Sequence, residues 1–129
     1  MIAVGAIASM FRINPRPTFT CDVPLSVPGA EKPGKVTITF RHMDRRALAA
    51  YQRRAIDLAI TADQEDAQER YTAYVAEIVD GWAGVLDADD KPVPYSAEAL
   101  GRLLAAFPAS GPEIVRHYAY QLGHARAGN

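Results

Sequence analysis

Two stretches near the start of the chain alternate apolar and polar residues. Phe19, Cys21, Val23 and Leu25 alternate with Thr18, Thr20, Asp22 and Pro24, and Val36, Ile38 and Phe40 alternate with Lys35, Thr37, Thr39 and Arg41. A period of two puts all the apolar side chains on one face, which is the pattern of a half-buried strand. Pro24 cannot donate to a ladder, so the first strand ends there or lies at an edge. Between the stretches lies VPGAEKPG, in which Pro28-Gly29 suits the centre of a type II turn. The pair therefore predicts an antiparallel hairpin with one apolar face. Residues 11–13 (FRI), ahead of the Asn14-Pro15 break, can add a third short strand. Two strands are marginal alone in water, so the apolar face needs helices to rest on.

From residue 44 the spacing changes to 3.6. Asp44 can cap a helix running to about Ile60, with Ala47, Leu48, Tyr51, Ala55, Leu58 and Ala59 on one face and Arg45, Arg46, Arg53 and Arg54 opposite. The turn Thr61-Ala62-Asp63 leads into a second, antiparallel helix, with Asp63 as its N-cap and Glu65, Asp66 and Glu69 near the positive end of its dipole. Its stripe of Ala67, Tyr71, Tyr74, Val75, Ile78, Val79 and Trp82 is the most regular in the chain and predicts a helix that closes at Trp82. Ser96 caps a third helix, with Leu100, Leu103, Leu104 and Phe107 inward and Pro108 as its stop. Ser110-Gly-Pro-Glu113 has capping-box spacing, so a fourth helix begins near residue 111, with Ile114, Val115, Tyr118, Leu122 and Ala125 as its core face. The expected fold is α+β: an N-terminal antiparallel β-hairpin packed on a bundle of about four α-helices. A single domain spans 1–129, with 1–10 an extra N-terminal segment, 11–41 the hairpin region and 44–126 the helical region. Phe19, Phe40, Tyr71, Ile78, Trp82, Leu100, Phe107 and Tyr118 are the expected core anchors.

Composition narrows the class. A chain of 129 residues that is 49% hydrophobic can build a core without metal or disulfide staples. Cys21 is the only cysteine, which rules out an intrachain disulfide and fits a reducing compartment. A net charge of −1 argues against general affinity for nucleic acid or anionic membrane. The local cluster of Arg41, His42, Arg45, Arg46, Arg53 and Arg54 lacks interleaved aromatics and reads as a solvated helix face. The opening MIAVGAIAS is apolar but lacks a basic flank and is too short to span a bilayer. It reads as an added first strand, or as sequence upstream of an initiator at Met10.

Reactive constellations are scarce. The chain has no G-x-S-x-G, P-loop, C-x-x-C or H-E-x-x-H. The loop Gly84 to Tyr95 carries Asp87, Asp89 and Asp90, yet Lys91 and Pro92 stand where a calcium loop needs an oxygen ligand and a glycine. Glu113, His117, Tyr120 and His124 form a second stripe on the fourth helix. The two histidines there lie two turns apart, about 10 Å, too far to share one ion. That stripe reads as a face for a partner chain or another helix. No catalytic residue, metal or cofactor is expected.

Five segments in a fixed order carry a resemblance: PTFTCDVPLSVPG, the strand KVTITFRH running into a helix, IVDGW, VPYSAEALGRLLAAFP, and the ending IVRHYAYQLGHARAGN. From Pro17 to Asn129 this layout resembles the tail assembly chaperones of long-tailed bacteriophages and prophages. The resemblance implies a non-enzymatic protein of the host bacterial cytoplasm, absent from the mature virion. It implies that the long, helical tape measure protein is the partner, with the tail tube protein and self-association as further contacts. Some relatives also have a longer, frameshifted form. Two other readings stay open: a structural head–tail joining or tail-terminator component, and a small metal-dependent hydrolase using His117 and His124.

Overall fold

The computed structural model describes residue 11 and residues 13–123 of the chain. Strand β1 (Thr18–Leu25) pairs antiparallel with β2 (Gly34–Arg41) in unbroken register, from Thr18 opposite Arg41 to Leu25 opposite Gly34. Ala30 N–H donates to the Val27 carbonyl at 3.0 Å and Gly29 has φ 81°, which is the type II turn expected at Pro28-Gly29. The alternation sends Val23, Val36, Ile38 and Phe40 into the core. Across the outer face Thr20 and Thr39 share a 3.0 Å hydrogen bond, and Thr37 donates to Asp22 at 2.7 Å. That hydroxyl, and then Lys35, hold the Asp22 carboxyl below its ordinary pKa.

The third strand comes from a segment whose spacing reads as helical. Phe11 and Ile13 are fully exposed and in no strand, and residue 12 lies outside the described residues. Instead β3 (Val79–Ala83) pairs antiparallel with β2, giving a sheet in the order β1-β2-β3. The predicted helix through Trp82 in fact stops at Ala76. The cause is a bulge: Thr39 faces Gly81 and Phe40 faces Val79, which leaves Asp80 as an extra residue. The extra residue puts Val79 and Trp82 on the same sheet face although they are three apart. A bulged strand thus imitates the spacing of a helix. Trp82 is half-buried, donates Nε1–H to the Val93 carbonyl at 2.8 Å and meets the Tyr95 ring edge-on at 5.1 Å.

Four helices are described: α1 (Arg45–Ile60), α2 (Ala67–Ala76), α3 (Ala97–Ala106) and α4 (Ser110–Gly123). Asp44 caps α1 by accepting from Ala47 N–H at 2.8 Å, and Ser96 caps α3 by accepting from Ala99 N–H at 3.0 Å. The start of α2 differs from expectation. Asp63 is no cap; residues 61–66 form successive turns, and Asp66 precedes the helix without a side-chain cap bond. Arg70 instead pins the preceding turn, donating to the Thr61 hydroxyl and carbonyl, Gln64 and Asp66. The capping box at α4 does not form either. Ser110 lies inside the helix and donates to the Phe107 carbonyl, while Glu113 turns away to bind Ser26. In the loop after β3, Asp87 Oδ1 accepts from the backbone N–H groups of Asp89 and Lys91, so this carboxylate closes a turn.

The core lies between the inner sheet face and the helices. Phe40, Ile78, Leu100 and Tyr118 are fully buried, and Phe19, Tyr71, Trp82 and Phe107 are half-buried. Tyr118 of α4 packs against Phe19 and Phe40 with ring centroids 5.9 and 5.1 Å away, and donates its hydroxyl to the Arg41 carbonyl at 2.6 Å. The guanidinium of Arg41 gathers the end of α2 and the start of β3. Nη1 donates to the carbonyls of Ala76, Glu77 and Val79 at 3.0, 3.3 and 3.0 Å, and Nη2 pairs with Asp80 at 3.2 Å. Arg41, read from sequence as part of a solvated cluster, is therefore structural. Arg54 stays solvated as read, and from the surface it holds Glu77 with two bonds of 2.7 and 2.6 Å.

Two measurements test this account. Arg41→Met keeps the aliphatic stem and removes every donor, so it should lower unfolding free energy by about 1.5–3 kcal/mol, the usual range for hydrogen bonds to a charged group. Urea denaturation reads it, and an unchanged midpoint would refute the role given to Arg41. The second concerns alkaline pH. Burial pushes the Cys21 thiol from 9.0 to about 11, and the Tyr71 and Tyr118 hydroxyls from 10.0 to about 12. The unfolded chain then loses these protons first. Stability is fully present below about pH 9 and is lost as pH rises toward about 12. Urea midpoints should fall across that window, and Cys21 should resist iodoacetamide near pH 9 until the chain is unfolded.

Candidate functional site

An open groove of about 880 Å³ lies between α1, α2 and α4. Its α1 wall is formed by Ala55, Leu58 and Ala59, its α4 wall by Pro112, Val115 and Ala119, and its floor by Tyr71 and Tyr74 of α2. Tyr51 is the one fully buried residue of α1, and Leu48 and Leu58 pack partly against the core. Tyr51 and Tyr74 stack at 4.0 Å, and each donates its hydroxyl to the other's backbone carbonyl at 2.7 Å. Burial, followed by the neighbouring Tyr74, raises the Tyr51 pKa, so this pair stays neutral. Beyond it, Ala55 and Ala59 are exposed, small and face the open space.

The floor depends on one glycine. A Cβ on Gly111 would come within 2.3 Å of the Tyr71 ring, so the start of α4 can pass under that ring only without a side chain. Two charged residues line the groove, Glu65 in the turn before α2 and Arg116 on α4, and no ion pair ties either of them among the described residues. On the outer side of α1, Ile56 and Ile60 are 62% and 72% exposed, so apolar surface continues past the groove's lip.

The stripe read from sequence on α4 lies on another side of that helix. Glu113, His117 and Tyr120 come together with Pro24 and Arg116 around a shallow hollow of about 260 Å³. Glu113 is engaged there: its carboxylate accepts from the Ser26 backbone N–H at 3.0 Å and from the Ser26 hydroxyl. His117 lies 3.5 Å from Gln121, and Tyr120 is 47% exposed. His124 lies outside the described residues. Among the described residues no group of three His, Cys, Asp or Glu is placed to hold a metal ion. Cys21 is half-buried with a raised pKa, caused first by burial and then by Asp22, so it is a poor nucleophile.

The sequence puts Ala55, Leu58 and Ala59 on the apolar face of α1 and Val115 on the core face of α4; Leu58 and Val115 do pack partly against the core while also lining the groove, and Ala55 and Ala59 are exposed in it. The legible signal was the smallness of these residues: alanines on an apolar face fill little volume and leave a channel when the neighbouring helix stands back. No helix among the described residues is long and apolar enough to cross a membrane.

Comparison with known proteins gives one match. A family model described as phage tail assembly chaperone matches residues 7–129, opening ahead of Pro17 and taking in all the described elements. No curated protein and no solved structure matches the chain. A match over nearly the whole chain places the protein in a family: it belongs to the phage tail assembly chaperones and acts in tail assembly.

Proposed function

We propose that the protein binds the tape measure protein during tail morphogenesis, in the host bacterial cytoplasm, and leaves before the virion is complete. It holds its client without a catalytic step, and the tail tube protein is a second contact. The observation that supports this reading is the open groove of about 880 Å³, walled by two helices and lined mainly by small apolar residues. A groove between helices accepts the apolar face of an amphipathic helix, read at i, i+3, i+4 and i+7. The hollow at Glu113, His117 and Tyr120 is smaller, and its carboxylate is already bound to Ser26. Strand addition at the outer edge of β1 is a second mode of holding a client, since β1 has a neighbour on one side only. Pro24, which has no N–H, shortens that edge.

Co-expression with the tape measure protein tests the groove. Ala59→Trp fills the channel from an exposed position and should weaken binding at least about tenfold, roughly 1.4 kcal/mol, with the thermal midpoint unchanged. His117→Glu with Tyr120→Glu should bind like the unaltered chain. The reverse result would move the client to the hollow on the other side of α4. Finding the protein as a stoichiometric part of purified virions would instead favour a structural head–tail or terminator role.

A further inference from the structure

The groove's two charges narrow what it can hold. Its lining is uncharged apart from Glu65, in the turn that joins α1 to α2, and Arg116 on α4, which also borders the smaller hollow; neither has an ionic partner among the described residues. Alanines at 55, 59 and 119 contribute little bulk, so the bulk must come from the occupant. An apolar ridge seated between the walls would carry one flank past Arg116 and the other past Glu65. We infer that the groove takes a charge-split amphipathic helix, with large apolar residues along its ridge, acidic residues on the flank facing Arg116 and basic residues on the flank facing Glu65. The pairing also fixes the direction in which the helix lies, because reversing it would set like charges together on both sides. This deepens the proposed function and rests on the groove being the client site.

Three synthetic helical peptides with an identical leucine ridge test it by fluorescence anisotropy against the full chain. One has glutamates on one flank and lysines on the other, one has glutamates on both, and one has lysines on both. The split peptide should bind about fivefold tighter than either uniform one, as two partly exposed ion pairs allow. That advantage should vanish near about 0.5 M salt, where the Debye length falls to roughly 4 Å. Glu65→Gln should bring the double-glutamate peptide level with the split one, and Arg116→Gln should do the same for the double-lysine peptide. Equal binding of all three peptides, or a ranking that survives both substitutions, overturns the inference. So does a dimer in sedimentation that Ala59→Trp converts to monomer, which would give the groove to a second copy of the chain. The peptide ranking and tape measure binding fail separately. A bound tape measure protein with no peptide ranking sinks the charge-split helix and leaves the proposed function standing. The opposite pattern keeps the helix site and removes the tape measure protein from it.

Discussion

The turn from α2 into β3 depends on the guanidinium of Arg41. Helix α2 must stop at Ala76 for the chain to turn into β3, and a stopped helix leaves carbonyls without partners. Arg41 sits at the end of the neighbouring strand, where one side chain can reach the carbonyls of Ala76, Glu77 and Val79 together. The backbone of the same residue accepts from Tyr118 and donates to the Ile78 carbonyl. One residue thereby joins the hairpin, the helix end, the third strand and α4. Without it the turn from α2 to β3 would expose polar groups close to Ile78 and Val79, both of which are buried.

Much of this was legible in the sequence, for reasons that differ by element. The hairpin was plain because period-two alternation and a Pro-Gly turn agree with each other, and the register of β1 with β2 has no irregularity. The starts of α1 and α3 were plain because Asp44 and Ser96 make the local bond that their residue types favour. Val79–Ala83 was not, because Asp80 is accommodated as a bulge and the apolar spacing then matches a helix as well as a strand. Which way a glutamate or arginine reaches was hidden too. Glu113 has the spacing of a capping box, yet bonds to Ser26, far away in sequence. Arg41 looks like surface charge until Ala76 is placed beside it, and nothing local shows that Arg54 holds Glu77. Local pattern determines local bonds, and these are long-range ones.

The groove illustrates the same limit. Periodicity identifies the apolar face of α1, but it cannot say whether another element covers that face. Tyr51 does meet a partner, through the reciprocal pair with Tyr74. One to two turns later the same face carries Leu58, partly buried against the core, and the exposed alanines Ala55 and Ala59, which leave the groove open. Of the candidate residues on α4, the structure groups Glu113, His117 and Tyr120 around one hollow and sets Pro112, Val115 and Ala119 on a second face.

The two walls of the groove are held with unequal strength, and this bears on how a client is gripped. Helix α4 is fixed along its length: Glu113 to Ser26, Ile114 in the core, and Tyr118 against Phe19, Phe40 and Arg41. Helix α1 has Tyr51 as its one fully buried contact, with the Arg54–Glu77 pair beside it, Leu58 partly buried against the core and Thr61 held by Arg70. Elements with few buried contacts open at lower free energy than those in the core. The α1 wall therefore adjusts to an incoming helix more readily than the α4 wall does. Under the proposed function, the more firmly packed α4 wall sets the register of a client helix and the less packed α1 wall yields to it. The tyrosine pair ties the middle of α1 to the floor of the groove, and Arg70 of α2 holds the helix end through the Thr61 hydroxyl and carbonyl.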